Sequence, residues 1–95
     1  MIPIISKSLN IPPSLRVIKW AKELGNHFSI YAPLSPECMS YLASIHRNHG
    51  IDTCYRFMLF CVFNHKRRPG FSATKAFKCR EKLDECWTEF CESNS

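Results

Sequence analysis

The sequence lacks the features that mark several common classes of protein. Its longest apolar run, residues 57–63, is far shorter than the roughly 20 residues that span a bilayer. It has no Gly-rich phosphate loop and no C-x-x-C redox motif. Its first residues show neither the basic start and apolar core of a secretory signal nor the Arg- and Ser-rich composition of a mitochondrial transit peptide. We therefore expect no membrane-spanning segment, no cofactor and no intrinsic catalysis.

What the sequence does have is cysteine: six in 95 residues. This content is high for a reduced cytosolic protein, and the even number favours an oxidising compartment. The length predicts one compact domain, and so small a domain benefits from covalent staples. The net charge of +5 permits contact with anionic lipid or nucleic acid without requiring either.

Four of the cysteines form two C-x6-C pairs that are symmetric about Gly70. Residues seven apart lie on nearly one face of a helix, about 10.5 Å apart along its axis. Gly70 follows Pro69 in a basic segment that is typical of a turn. Facing Cα atoms of packed helices come within the range of a disulfide. The spacing predicts an antiparallel helical hairpin over residues 53–91, clamped by two disulfides: Cys54 with Cys86, and Cys61 with Cys79.

The remaining cysteines, Cys38 and Cys91, leave two interpretations open. A third disulfide between them would tie the second helix to the far end of the hairpin, whereas the alternative is two free, buried thiols. A zinc site is the rival interpretation for the paired cysteines. Zinc ligands usually come from tight C-x2–4-C loops, and residues seven apart on a helix are too distant for one ion. We expect no bound metal.

Apolar periodicity and capping residues predict an all-α fold of about four helices. The predicted helices cover residues 14–27, 36–49, 53–65 and 73–91. The predicted N-terminal caps are Ser14, Ser35, Asp52 and Ser72. The third helix is apolar nearly all round, which predicts a place in the middle of the domain or under a partner.

An extended apolar arm, residues 1–13, precedes the single helical domain of residues 14–95. The arm covers the domain's own core or lies on a partner; the sequence leaves both open. The first helix is amphipathic with basic flanks, which would also suit a membrane surface, although such a face is more often core or protein interface. Its predicted partner-binding residues are Leu15, Ile18, Trp20, Leu24 and Phe28.

The four paired cysteines, Cys54, Cys61, Cys79 and Cys86, resemble those of the coiled-coil–helix–coiled-coil–helix proteins of the mitochondrial intermembrane space. That family commonly has C-x9-C or C-x3-C pairs, whereas both pairs here are C-x6-C. Its members typically enter without a cleaved presequence and are trapped by oxidation. The resemblance would reconcile the cysteine content with the absence of a presequence.

The resemblance implies a non-catalytic structural accessory subunit of a mitochondrial inner-membrane respiratory complex, held on the intermembrane-space side. The implied partners are subunits of a large membrane protein complex, with peripheral membrane contact left open. A soluble assembly factor of the same compartment is the alternative. The chain lacks the adjacent Cys-Cys pair of the copper chaperones. A nucleic-acid-binding or ribosome-associated module would use the basic residues 65–68, but the acids of the last helix disfavour it.

Overall fold

The computed structural model describes residues 12–93, and this part of the chain contains helices and no strand. Its five helices are α1 (Pro13–Phe28), α2 (Pro36–His49), α3 (Ile51–Arg67), α4 (Ala73–Lys78) and α5 (Arg80–Ser93). The predicted all-α fold is therefore confirmed for the described residues. The predicted N-terminal arm lies outside them, apart from Pro12 and Pro13, and Pro13 is already the first residue of α1.

Two of the predicted helix caps are confirmed. Ser35 Oγ accepts a hydrogen bond from the Cys38 N–H at 3.1 Å, at the start of α2. Ser72 Oγ accepts one from the Lys75 N–H at 3.2 Å, at the start of α4. Each hydroxyl satisfies a backbone donor that has no partner within its own helix.

Two other predicted caps are wrong. Helix α1 begins at Pro13, without a side-chain cap, so that Ser14 lies inside the first turn. Helix α3 begins at Ile51, directly after Gly50. Asp52 instead forms an ion pair with Arg56, one turn further along the same helix. An acid in the first turn still stabilises α3, because the helix start carries partial positive charge.

The predicted last helix is two helices, separated at Cys79. This residue has an extended conformation (φ −121°, ψ 116°). Its N–H donates to Lys75 O, which closes α4, and its C=O accepts from Leu83 N–H, which opens α5. Each helix therefore keeps its own hydrogen bonds, whereas the bonds that would join α4 to α5 in one continuous helix are lost.

The break releases two carbonyl groups for contacts with α2. Within one continuous helix, Ala76 O and Phe77 O would bond to residues four positions ahead. Instead, the Cys38 thiol donates to Ala76 O at 3.4 Å. The Ser35 N–H donates to Phe77 O at 2.9 Å. The start of α2 is thereby docked on the end of α4.

Helix α3 packs against all four other helices, as its apolar sequence predicts. Its core side chains are fully buried: Cys54, Phe57, Met58, Cys61 and Val62. Phe57 also belongs to an aromatic cluster with α5, in which its ring centroid lies 5.1 Å from Trp87 and 5.5 Å from Phe90. Aromatic pairs at these separations add stability beyond the burial of their surface.

The contacts between α3 and α5 do not follow the predicted pairing of cysteines. Phe57 packs against Trp87 and Phe90, and Arg68, directly after α3, forms an ion pair with Glu89. These pairs have no common midpoint, whereas the two predicted disulfides share a midpoint at Gly70. Helix α4 and the extended Cys79 lie between the predicted turn and α5.

Candidate functional site

An apolar groove lies between α1, the start of α2 and the segment that connects them. Its volume is about 510 Å³, within the range of ligand and peptide pockets. Its two polar side chains are Lys22 and Asn26. The lining residues, here called the groove, are Ile18, Ala21, Lys22, Gly25, Asn26, Ile30, Tyr31, Ala32, Pro33, Leu34, Pro36 and Met39.

The connecting segment, residues 30–35, leaves α1 through a tight left-handed turn. Ser29 has φ 57°, and the Ile30 N–H donates to Gly25 O at 2.7 Å. This pattern satisfies a carbonyl at the helix end that would otherwise have no partner. The chain direction is reversed there, which places the segment beside α1 as one wall of the groove.

Gly25 is required by this close approach. A Cβ atom at Gly25 would lie 2.6 Å from Ile30 O, a backbone atom. A side chain at this position would therefore push the connecting segment away from α1. Glycine fits this buried position because it has no side chain, whereas a methyl group would collide with the Ile30 carbonyl oxygen.

Helix α4 holds the connecting segment at both ends. Thr74 Oγ1 donates to Tyr31 O at 3.0 Å, and the Ser35 N–H donates to Phe77 O at 2.9 Å. With its backbone fixed in this way, Tyr31 remains 84% exposed at the edge of the groove. The groove therefore presents a large aromatic side chain to solvent on a fixed backbone.

The last turn of α3 holds α4 in place. His65 Nδ1 accepts a hydrogen bond from the Ala73 N–H at 2.9 Å, at the first residue of α4. This nitrogen must carry no proton to act as an acceptor, which assigns the ring proton to Nε2. His65 therefore acts as a helix cap from outside the helix.

The guanidinium groups at the end of α3 also have partners within the chain. Arg68 forms an ion pair with Glu89 of α5 and lies 5.5 Å from the Phe71 ring. Arg67, the last residue of α3, lies 5.0 Å from the Phe63 ring of the same helix. The contact with Glu89 raises the pKa of Arg68. Arg68 thereby ties the end of α3 to α5.

The predicted partner-binding residues of α1 do not form one surface. Leu24 is buried in the core, and Leu15 is 57% exposed. Trp20 is half-buried, stacked on His46 with ring centroids 5.9 Å apart, and Phe28 packs edge-on against Phe63. Among the five residues, Ile18 alone lines the groove. Whether this face binds a partner stays a prediction.

The structure does not show the predicted disulfides. All six cysteines are within the described residues, and all six are free thiols. The predicted bonds Cys54 with Cys86 and Cys61 with Cys79, and the third bond left open between Cys38 and Cys91, are therefore not shown and stay predictions. The Cys54 thiol instead donates to Leu42 O of α2 at 3.4 Å, and burial raises its pKa to about 12.

Two buried thiols belong to the core that α3 and α5 share. Cys61 is fully buried and Cys86 is 7% exposed. Burial raises the pKa of Cys61, and the neighbouring Cys61 thiol lowers the pKa of Cys86.

The described residues contain no group of three or more His, Cys, Asp or Glu side chains suited to a metal ion. In the same part of the chain, no helix combines the length and the apolar character that a membrane crossing requires.

Comparison with known proteins gives no match: no family model, no curated protein sequence and no solved structure matches this chain. The resemblance to the twin-cysteine family therefore rests on the cysteine spacing alone.

Sequence reasoning missed the groove. Its wall depends on hydrogen bonds between residues 30–35 and α4, more than 40 positions away. One local signal was available: Gly25 interrupts the C-terminal half of an otherwise regular helix, and an isolated glycine there indicates close backbone approach or a helix end. The capping role of His65 had no comparable signal.

Proposed function

We propose that this chain is a non-catalytic structural subunit of a mitochondrial inner-membrane assembly. On this proposal it lies on the intermembrane-space side and binds an apolar polypeptide segment of a neighbouring subunit in the groove. The proposal assigns the chain the role of a rigid adaptor, with binding as its activity and no bond made or broken in a substrate.

The groove is the observation that carries the proposal. Apolar side chains of α1, α2 and the connecting segment line a concave surface that is open to solvent, with Lys22 and Asn26 as its polar members. Burying such a surface contributes roughly 25 cal/mol per Å² of apolar area removed from water. A polypeptide segment with apolar side chains fits this composition.

Tyr31 is the expected anchor of the contact. Tyrosine is enriched among the residues that dominate binding energy at protein interfaces. The Tyr31 carbonyl accepts a hydrogen bond from Thr74. Binding would therefore reduce the conformational freedom of the Tyr31 side chain and of little else. An exposed aromatic side chain on a fixed backbone supports recognition of a protein partner.

The proposed compartment rests on the cysteines and on their resemblance to the intermembrane-space family. Oxidation there would clamp α3 to α5, as the predicted hairpin requires. Cys54, Cys61 and Cys86 belong to one buried cluster, and this placement of cysteines from both helices in the same core supports the proposed clamp.

The contacts of the basic residues 65–68 weaken the nucleic-acid alternative. Arg68 is paired with Glu89, Arg67 lies against Phe63, and His65 caps α4. Phosphate binding would compete with these intramolecular contacts. Because these basic side chains already make contacts within the fold, we assign them a structural role.

The test is the native assembly state of a tagged full-length chain in purified mitochondria. We expect the chain to migrate with a large membrane assembly that persists through moderate salt. Tyr31→Asp should release it, because losing the aromatic anchor of a contact typically costs roughly 2 kcal/mol or more, about 30-fold in affinity.

Ile51→Asp is the matched control. Ile51 is 43% exposed, lies outside the groove, and is the first residue of α3, where an acid is favourable. This variant should stay in the assembly. A chain absent from mitochondria, or present there only as a free monomer, would contradict the proposal. Release at moderate salt together with RNA would support the nucleic-acid alternative.

A further inference from the structure

The apolar face of α1 continues the groove toward the start of the helix. Leu15, in the first turn of α1, is 57% exposed. It precedes Ile18, which lines the groove, by three positions, and Lys22 and Gly25 continue the same spacing along the groove wall. Residues three and four apart are neighbours on the surface of a helix. An exposed apolar surface therefore leads from the first turn of α1 into the groove.

The N-terminal segment, residues 1–11, precedes this surface in the chain and lies outside the described residues. We propose that it binds in the groove of its own chain, as an internal ligand that the partner's segment displaces. Displacement by a partner rests on the proposed function. Binding of the N-terminal segment does not, because it needs only the groove and the chain that leads to it.

The N-terminal segment is long enough to cover the groove. Pro12 has an extended conformation (φ −59°, ψ 141°), so the chain leaves the axis of α1 at this residue. Asn26, the last residue of α1 that lines the groove, lies about 20 Å from Pro13 along the helix axis. About six extended residues cover that distance. The rest of the segment is available for the reversal of chain direction.

The composition of the N-terminal segment suits an apolar contact. Its charged side chain, Lys7, has the same sign as Lys22, the charged member of the groove. Removal of apolar side chains from water would therefore hold the segment, and ion pairing with Lys22 would not contribute. We expect the contact to persist at high salt, which screens exposed ion pairs and leaves apolar contacts intact. The apolar residues of the segment are Met1, Ile2, Ile4, Ile5, Leu9 and Ile11.

Attachment to α1 makes even a weak contact effective. A short connection holds a segment near its site at an effective concentration of about 1 mM. A contact with a dissociation constant of about 0.1 mM as a free peptide would then be about 90% occupied. The N-terminal segment would therefore exclude weak competitors from the groove, and a partner must bind more tightly to displace it.

Met39 reports on the groove in the full-length chain. The chain has three methionines, of which Met39 lines the groove and Met58 is fully buried. Isotope labelling of the methyl groups gives each methionine its own NMR signal, and Met39→Leu assigns the signal of Met39. A neutral gadolinium chelate broadens the signals of the methyl groups that it approaches. Met58 is the reference for a methyl group that it does not reach.

The test variant combines Ile4→Asp with Ile5→Asp, because carboxylates placed in an apolar contact oppose its burial. The matched control combines Ser6→Asp with Ser8→Asp, which adds the same charge to the segment at polar positions. A loss of about 100-fold in affinity would lower the occupancy of the groove from about 90% to about 10%. We therefore expect the broadening of Met39 to rise severalfold in the test variant. In the control it should stay at the wild-type value, at low and at high salt.

Three outcomes would overturn the proposal. Met39 could broaden equally in the wild type and the test variant, or it could lose its shielding at high salt. It could also lose its shielding on dilution, together with dissociation of a dimer, which would assign the segment to a second copy. If the test variant fails to fold, nuclear Overhauser contacts between Met39 and the methyl groups of residues 1–11 in the wild type decide by their presence or absence. A chain absent from mitochondria would contradict the proposed function without affecting these measurements, so the two proposals fail separately.

Discussion

Replacing Gly25 with alanine tests the origin of the groove. At an ordinary helical position this change stabilises by about 1 kcal/mol, because alanine loses less backbone freedom on folding. At Gly25 the added Cβ atom would lie 2.6 Å from Ile30 O, whereas carbon–oxygen contacts normally need roughly 3.3 Å. The connecting segment must therefore move by about 0.7 Å, by the difference of these two distances.

The cost of that movement exceeds the gain in helix propensity. Overpacking costs about 1–3 kcal/mol, and displacing Ile30 weakens its 2.7 Å hydrogen bond to Gly25 O, which contributes about 1 kcal/mol. After the gain in propensity, we expect a net loss of about 1–3 kcal/mol. For a domain of this size, this lowers the unfolding temperature by about 5–15 °C.

Thermal unfolding followed by circular dichroism measures this effect. Asn26→Ala is the matched control, because Asn26 is the next residue of α1 and is exposed, so that its replacement should leave the unfolding temperature unchanged or slightly raised. A Gly25→Ala protein that is more stable than the wild type would refute the close approach, and with it the origin of the groove wall.

Two further changes test the histidines. His65→Ala should lower the free energy of unfolding by about 1 kcal/mol, because it removes the cap on the Ala73 N–H; chemical denaturation measures this, and exposed His27→Ala should change it by less than about 0.5 kcal/mol. Burial, and then the Arg16 cation, lowers the pKa of His46 below 6.5. The neutral ring is therefore favoured in the fold, and this contribution to stability is complete above pH 6.5 and lost as the pH falls below it. His46→Gln should flatten the decline in unfolding temperature between pH 7 and pH 5, and an unchanged slope would contradict this.

The sequence predicts best those features of the helices that depend on residues nearby in the chain. Ser35 and Ser72 cap the residues that their positions predict, since a hydroxyl needs only a backbone N–H three residues ahead. The central position of α3 follows equally from its own composition. These features depend only on residues within one or two helical turns of each position.

The break at Cys79 is not predictable in this way. No proline or glycine marks it, and the apolar spacing continues through it. What favours the break is distant in sequence, since Ser35 and Cys38 donate hydrogen bonds to the carbonyl groups that it releases. The predicted pairing of α3 with the last helix requires one continuous helix, and the break at Cys79 removes that condition.

The single extended residue at Cys79 also determines how the molecule can open. Helix α5 can separate from the rest as one unit, because no helical hydrogen bond crosses from α4 except those closed at Cys79 itself. Its attachments are side-chain contacts, such as Tyr41 with Asp84 and Phe57 with Phe90. Amide hydrogens of α5 would then exchange with solvent as one cooperative group, at a rate set by detachment of the whole helix. Such detachment would expose the buried face of α5, including Cys86, while leaving α4 and the groove wall in place.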